Sequence, residues 1–296
     1  MKKTKGFIAV DILYILMMVL PFVLGIVIKI LTKGPSEGIS ITGAQVYFEI
    51  PMPLQNLIIG ESQVNSLLVI VAILGLCLYL THGLDVKASL KRQHIAEWAV
   101  EVTEKITVTN MGERFKGFAP FITGILALSA VSSLITLMGL YPPTSDINVT
   151  GGWAILVFIL ITYYKMKAGP VVYAKSFASP VLMAPLNIIS EIATPISMAF
   201  RHYGNVLSGS VISILIATGL QGLTKMLLGF LPGFLGQFPF LQIGLPAILS
   251  LYFDIFSGCL QAYIFAMLTM LYVAGGFPEE EYNLRKAKKI KINGGI

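Results

Sequence analysis

The sequence predicts an all-α fold: a polytopic membrane protein of about six membrane helices, the last two long, tilted and carrying polar stripes. Three observations predict it. The 296 residues are 55% apolar and only 12% charged, with a mean hydropathy of +0.80, far above that of a soluble domain. Apolar runs of about 20 residues, enough to cross ~30 Å of hydrocarbon, recur along the chain. Basic residues gather on alternate loops.

The first run, about residues 8 to 30, follows the basic start "MKKTKG". It has the layout of a secretory signal, but its apolar part is too long and no small-x-small cleavage site follows, so it reads as a retained membrane helix. Residues 34–60 combine short alternations with Gly and Pro and read as an ordered outside loop with a small hairpin. A second span covers 62–82. Residues 84–117 set Ile95, Ala99, Val102 and Ile106 at helical spacing among charges. That pattern predicts an amphipathic helix on the cytoplasmic surface, the alternative being a solvated connector. The third span, 119–140, ends in the turn "GLYPPTSDINVT", where Pro142 and Pro143 break the helix. A fourth, 152–164, is short and spans if Lys165 and Lys167 snorkel. Two longer segments follow.

The whole, 1–296, reads as one membrane domain: 1–60 a first helix and outside loop, 61–176 three spans with the connector, 177–276 the paired long helices, and 277–296 a basic tail. The net charge of +6 reports topology, not nucleic-acid binding. Lys2, Lys3 and Lys5, then Lys87, Lys91, Arg92, Lys105, Arg114 and Lys116, then Lys165, Lys167 and Lys175, and finally Arg285, Lys286, Lys288, Lys289 and Lys291 fall on one side of the predicted spans. By the positive-inside rule that side is cytoplasmic and holds both termini. Cys77 and Cys259 sit in apolar runs and read as small hydrophobes. No cofactor or metal site is indicated, and no G-x-x-x-x-G-K-[ST] phosphate loop occurs.

The chemistry lies in the last two spans. On a helix at about 100° per residue, Asn187, Ser190, Thr194, Ser197, Arg201, Asn205 and Ser208 share one narrow arc. Ser250, Asp254, Ser257 and Gln261 recur at intervals of four, three and four, which again predicts one face. Hydroxyls alone would read as bundle glue. A central arginine costs about 2.5–3.5 kcal/mol on insertion scales and marks an ion path, unless Arg201 forms a structural ion pair with Asp254 or Glu191. Glu191 also reads as a helix-end partner, and His202 as packing before proton transfer. Gly204, Ser208 and Gly209 permit close approach by another helix, and Pro195 should kink or tilt the first half of this one.

Three stretches in order, "PFITGILALSAVSSLITLMGLYPPTSDINVT", "LNIISEIATPISMAFRHYGNVLSGS" and "FDIFSGCLQAYIFAMLTMLY", resemble subunit a of F-type ATP synthases, over about residues 45–275. The resemblance implies a non-catalytic bacterial plasma-membrane subunit. It would pass ions through two half-channels and couple the flow to rotation of a c-subunit ring, held by a b-subunit peripheral stalk and bathed in lipid, with no nucleotide bound directly. It implies that Arg201 is the essential arginine and that Asn205 and Gln261 are polar positions near the ring. Asp254 falls where members carry a half-channel glutamate or histidine, and Ser197, Arg201, Gly204 and Ser208 would face the ring. Glu191 is a second half-channel candidate. Ser210 stands where many members have a glutamate or histidine, His202 replaces a usual leucine, and the first helix is an addition to the shorter bacterial pattern. Proton against sodium stays open, as does a self-contained secondary cation transporter or antiporter, against which stands the lack of an inverted repeat.

Overall fold

The computed structural model describes residues 5–32, 43–53, 56–85, 91–177, 181–228, 244–280 and 282–283. Among the described residues six helical segments are long and apolar enough to cross a membrane: Phe7–Thr32, Glu61–Thr81, Glu113–Met138, Ile147–Lys165, Ala184–Leu228 and Leu251–Gly275. The chain is an all-α polytopic membrane protein, as the composition requires.

Helix α1 (Lys5–Thr32) packs along α2 (Glu61–Thr81). Gly75 permits the contact, because a Cβ there would lie 2.8 Å from the backbone nitrogen of Met18. Between these helices, β1 (Val46–Ile50) and β2 (Leu57–Gly60) pair antiparallel, with Val46 opposite Gly60. The expected pairing of two short strands is present; the loop's residues 34–42 and 54–55 lie outside the described residues. Helices α3 (Lys91–Met111), α4 (Ala119–Leu134), α5 (Ile147–Lys165) and α6 (Pro170–Phe177) follow. Asp146 caps α5 by accepting the Asn148 N–H at 2.9 Å.

The main core joins Ile122 and Ile125 of α4, Val157 and Ile161 of α5, Met198 and Ala199 of α7 (Ala184–Leu228), and Phe265 and Met270 of α9 (Gly258–Gly275). A smaller cluster around Val69, Ile135 and Leu140 seats α1 through Phe22 and Ile26. At 45 residues α7 is about 67 Å long, more than twice the hydrocarbon thickness, so it must lean or project beyond the bilayer. It stays helical through Pro195.

Three expectations change. The connector is a helix, but Ile95 is exposed and the buried residues of α3 are Arg92, Gln93, Thr107 and Met111. Its packing against α2, α4 and α9, not an Ile95 stripe, selects the covered face. Lys165 does not snorkel freely: its ammonium lies 2.6 Å from a Glu191 oxygen. The second polar stripe is not one straight face. Helix α8 (Leu245–Ser250) runs into a π-helical turn, Leu251–Ser257, before α9. That wider winding rotates Asp254 relative to Gln261, away from the α-helical projection.

Candidate functional site

Helix α7 divides at one peptide bond. His202 is completely buried, with Nε2 3.1 Å from Ser129 Oγ and its ring edge-on to Trp153 and Phe265. Arg201, its neighbour about 100° around the helix, is exposed. Packing of one side chain therefore aims the other outward. Among the described residues Arg201 has no hydrogen bond or ion pair, so neither Glu191 nor Asp254 neutralises it. The structural ion-pair reading fails on that observation.

The face around Arg201 is bare. Ser190, Ser197 and Ser208 are exposed beside it, as are Ile189, Ile196 and Phe200. Only 6% of the membrane window of α7 is buried, against 39% for the last span. Gly204 is half-buried, and a Cβ there would meet nothing within 4 Å. Asn187, Thr194 and Asn205 are half-buried at the edge of this face. Ser210 is exposed, and its hydroxyl donates to the Leu207 carbonyl at 2.8 Å, tied to its own helix.

Toward the start of α7, Glu191 accepts from Lys165 Nζ at 2.8 and 2.6 Å and from the Tyr173 hydroxyl at 3.3 Å. Burial and the Glu191 carboxylate push the Tyr173 phenol above its ordinary range. Glu191 and Lys165 border a cavity of about 220 Å³, lined also by Thr194, Phe158, Tyr272 and Gly276. Pro195 lacks the N–H that would bond the Glu191 carbonyl four residues earlier, which leaves an acceptor there for water. Glu191 lies ten residues from Arg201, about 15 Å along the axis.

On the other side of Arg201 the two polar helices meet. Ser257 Oγ donates to Asn205 Oδ1 at 2.8 Å, and Asn205 Nδ2 donates to the Ser257 carbonyl at 3.5 Å. One turn further, Gly209 seats Phe253: a Cβ at Gly209 would be 3.0 Å from the phenyl ring. Asp254 is half-buried in the π turn, and Gln261 is buried on α9 at 7% exposure. No side-chain placement is described for Ser250. Among the described residues no cluster of His, Cys, Asp and Glu could hold a metal ion.

Residues 64–274 match the family model described as ATP synthase A chain. The chain belongs to that family. ATP synthase subunit a of Trichlorobacter lovleyi is 30% identical over 240 residues, covering 76% of this chain and 93% of the relative. That of Geotalea daltonii is 31% identical over 220 residues, covering 72% and 84%. ATP synthase subunit a 1 of Crocosphaera subtropica is 28% identical over 214 residues, covering 71% and 83%. As a member of the ATP synthase A chain family the chain acts in the membrane sector of that enzyme, in complex with other subunits. All of Glu191, Arg201, Asn205, Ser210, Asp254 and Gln261 fall inside the matched stretch, whereas α1 and the hairpin precede it.

Sequence reasoning missed Lys165 and Tyr173 as partners of Glu191, and Ser129 as the partner of His202. Ser129 shares the third span with Ser132 and Ser133, and nothing in the sequence sets it apart from them; the Lys165 pairing joins helices that no spacing relates.

Proposed function

We propose that this chain passes ions, protons in first place, between two offset half-channels and couples the flow to rotation of a c-subunit ring. The observation that carries the reading is Arg201: a guanidinium exposed on the bare face of a membrane helix and unpaired among the described residues. Facing lipid it would cost about 2.5–3.5 kcal/mol or more, so the face calls for a partner that presents an opposite charge. A ring carboxylate that has released its ion meets that need. Ser197, Gly204 and Ser208 border the same face, and Gly204 leaves open space for close approach.

Two polar approaches flank the arginine. The Glu191 cavity with Lys165 and Thr194 serves one half-channel, on the cytoplasmic side by the distribution of basic loops. Asp254, with Asn205, Ser257 and Gln261, serves the other. An ion that loads a ring carboxylate at one approach leaves at the other after nearly a full turn. Arginine suits the gap because it keeps its proton where a desolvated lysine can lose it, and its fixed charge repels an ion crossing directly. Each charge moved through 100 mV supplies about 2.3 kcal/mol. The chain holds no nucleotide and leaves ATP chemistry to other subunits; a b-subunit stalk would keep it from turning, with both termini cytoplasmic in a bacterial plasma membrane.

ATP-driven ion uptake into inverted membrane vesicles tests this. Arg201→Lys and Arg201→Ala should both abolish uptake while the complex assembles in normal amount. Uptake that survives in both variants would overturn the proposal.

A further inference from the structure

Beside α3 runs an open groove of about 670 Å³ whose charged lining is mostly acidic: Glu97, Glu101, Glu104 and Glu113 line it against Lys105, over a floor that includes Val100 and Val108. Glu104 is paired with Lys116 at 2.5 Å and Glu97 with the Gln93 amide at 2.8 Å. Among the described residues Glu101 and Glu113 form no salt bridge, and Glu97, Glu101 and Glu113 are exposed. Spacings of four and three put Glu97, Glu101 and Glu104 on one helical face.

The last described residues end beside this groove. Arg114, next to Glu113, donates to Asn283 Oδ1 at 3.4 Å, pairs with Glu279 at 3.5 Å and lies over the rings of Phe277 and Tyr282. Beyond Asn283 the sequence continues "LRKAKKIKINGGI", with Arg285, Lys286, Lys288, Lys289 and Lys291 and no acidic side chain. We propose that residues 284–296 dock in the acidic groove of α3, their cations against Glu101, Glu113 and the neighbouring carboxylates.

The reach is sufficient. Glu97 to Met111, the end of α3, spans about 21 Å at helical rise, and a chain of this length extends to ~43 Å. Leu284, Ile290 and Ile292 supply apolar side chains for the Val100–Val108 floor. Docking would brace α9 against α3 and so steady Gly275 and Gly276, which border the Glu191 cavity. The inference depends on charge and position alone, not on the translocation argument.

The test is zero-length carbodiimide cross-linking of the assembled complex in phosphatidylcholine vesicles, with the links mapped by mass spectrometry. The expected result is amide links from Lys288 or Lys289 to Glu101 or Glu104. They should be lost in Glu97→Lys/Glu101→Lys and, with the links now running from the new lysines, restored when Lys288→Glu/Lys289→Glu is added. Three results would each overturn the proposal: tail links confined to other subunits, unchanged links in the charge-reversed chain, or loss of all links when anionic lipid is included. The last would assign the tail to the membrane surface.

Discussion

At the residue scale, the pair Arg201 and His202 shows how burial sorts adjacent polar side chains. His202 fills a slot among Ser129, Trp153 and Phe265, and its buried Nδ1 has no hydrogen-bond partner among the described residues. An unpaired buried nitrogen is a cost that offsets the one hydrogen bond gained at Nε2. His202→Leu should therefore change stability by no more than about 1 kcal/mol and leave ATP-driven uptake intact, as read by thermal unfolding in detergent and by the vesicle assay. Loss of uptake in a normally assembled variant would make the imidazole part of the ion path. Polar residues in apolar runs were legible from the sequence, which is why Arg201, Asn205 and Glu191 could be picked out. Their partners were not: the Lys165–Glu191 pair joins α5 to α7, and that depends on packing that spacing does not encode. The topological reading of Lys165 as a boundary lysine hid its second role.

At the element scale, the junction of α7 with the π turn decides where the two polar helices touch. Gly209 lets Phe253 sit against the α7 backbone, one turn beyond the Asn205–Ser257 hydrogen bonds. The ring is bulky and hemmed in, so a branched side chain at 209 must push the helices apart. Gly209→Val should destabilise the chain by about 1–3 kcal/mol through overpacking and weaken uptake by separating Asn205 from Ser257. Thermal unfolding and uptake, each compared with Gly219→Val at a glycine of α7 where a Cβ meets nothing within 4 Å, measure the two effects. A Gly209→Val chain as stable as the natural one would show that the contact is not tight. The existence of both long helices was legible from hydropathy, and their polar stripes from a period near 3.6. The π turn was not, because no residue in "LYFDIFS" signals a wider winding; the altered face of Asp254 follows from that winding alone.

At the scale of the whole molecule, α1 is fastened at both ends by charge. Near one end Arg92 Nη1 donates to Asp11 at 2.5 Å, Arg92 Nη2 donates to the His82 carbonyl, His82 lies 2.9 Å from Asp11, and Phe7 stacks on His82. Near the other, Lys29 donates to the Gly139 carbonyl at 2.5 Å and lies 3.6 Å from Glu61. Glu61 accepts the Tyr141 N–H, and burial, helped by Asp146, pushes the Tyr141 phenol above its ordinary range. Removing one partner of a buried ion pair costs about 3–5 kcal/mol. Arg92→Ala should lower stability on that order in urea unfolding of the detergent-solubilised chain, and Asp11→Leu/Arg92→Leu should recover part of it. Equal losses in the single and double variants would mean that the guanidinium acts through its rings, Phe7 and Tyr79, rather than through the carboxylate. The sequence showed an added first helix but not what held it, since Asp11 and Arg92 stand far apart in the chain.

Those two fastenings have a further consequence. Asp11 and Lys29 are eighteen residues apart, about 27 Å of helix, close to the hydrocarbon thickness of an ordinary bilayer. The strut fixes how far apart its two wet ends can be. In a membrane of longer acyl chains the lipid must thin around it or the ion pairs must be drawn into oil, so the choice of membrane becomes a mechanical load on the subunit.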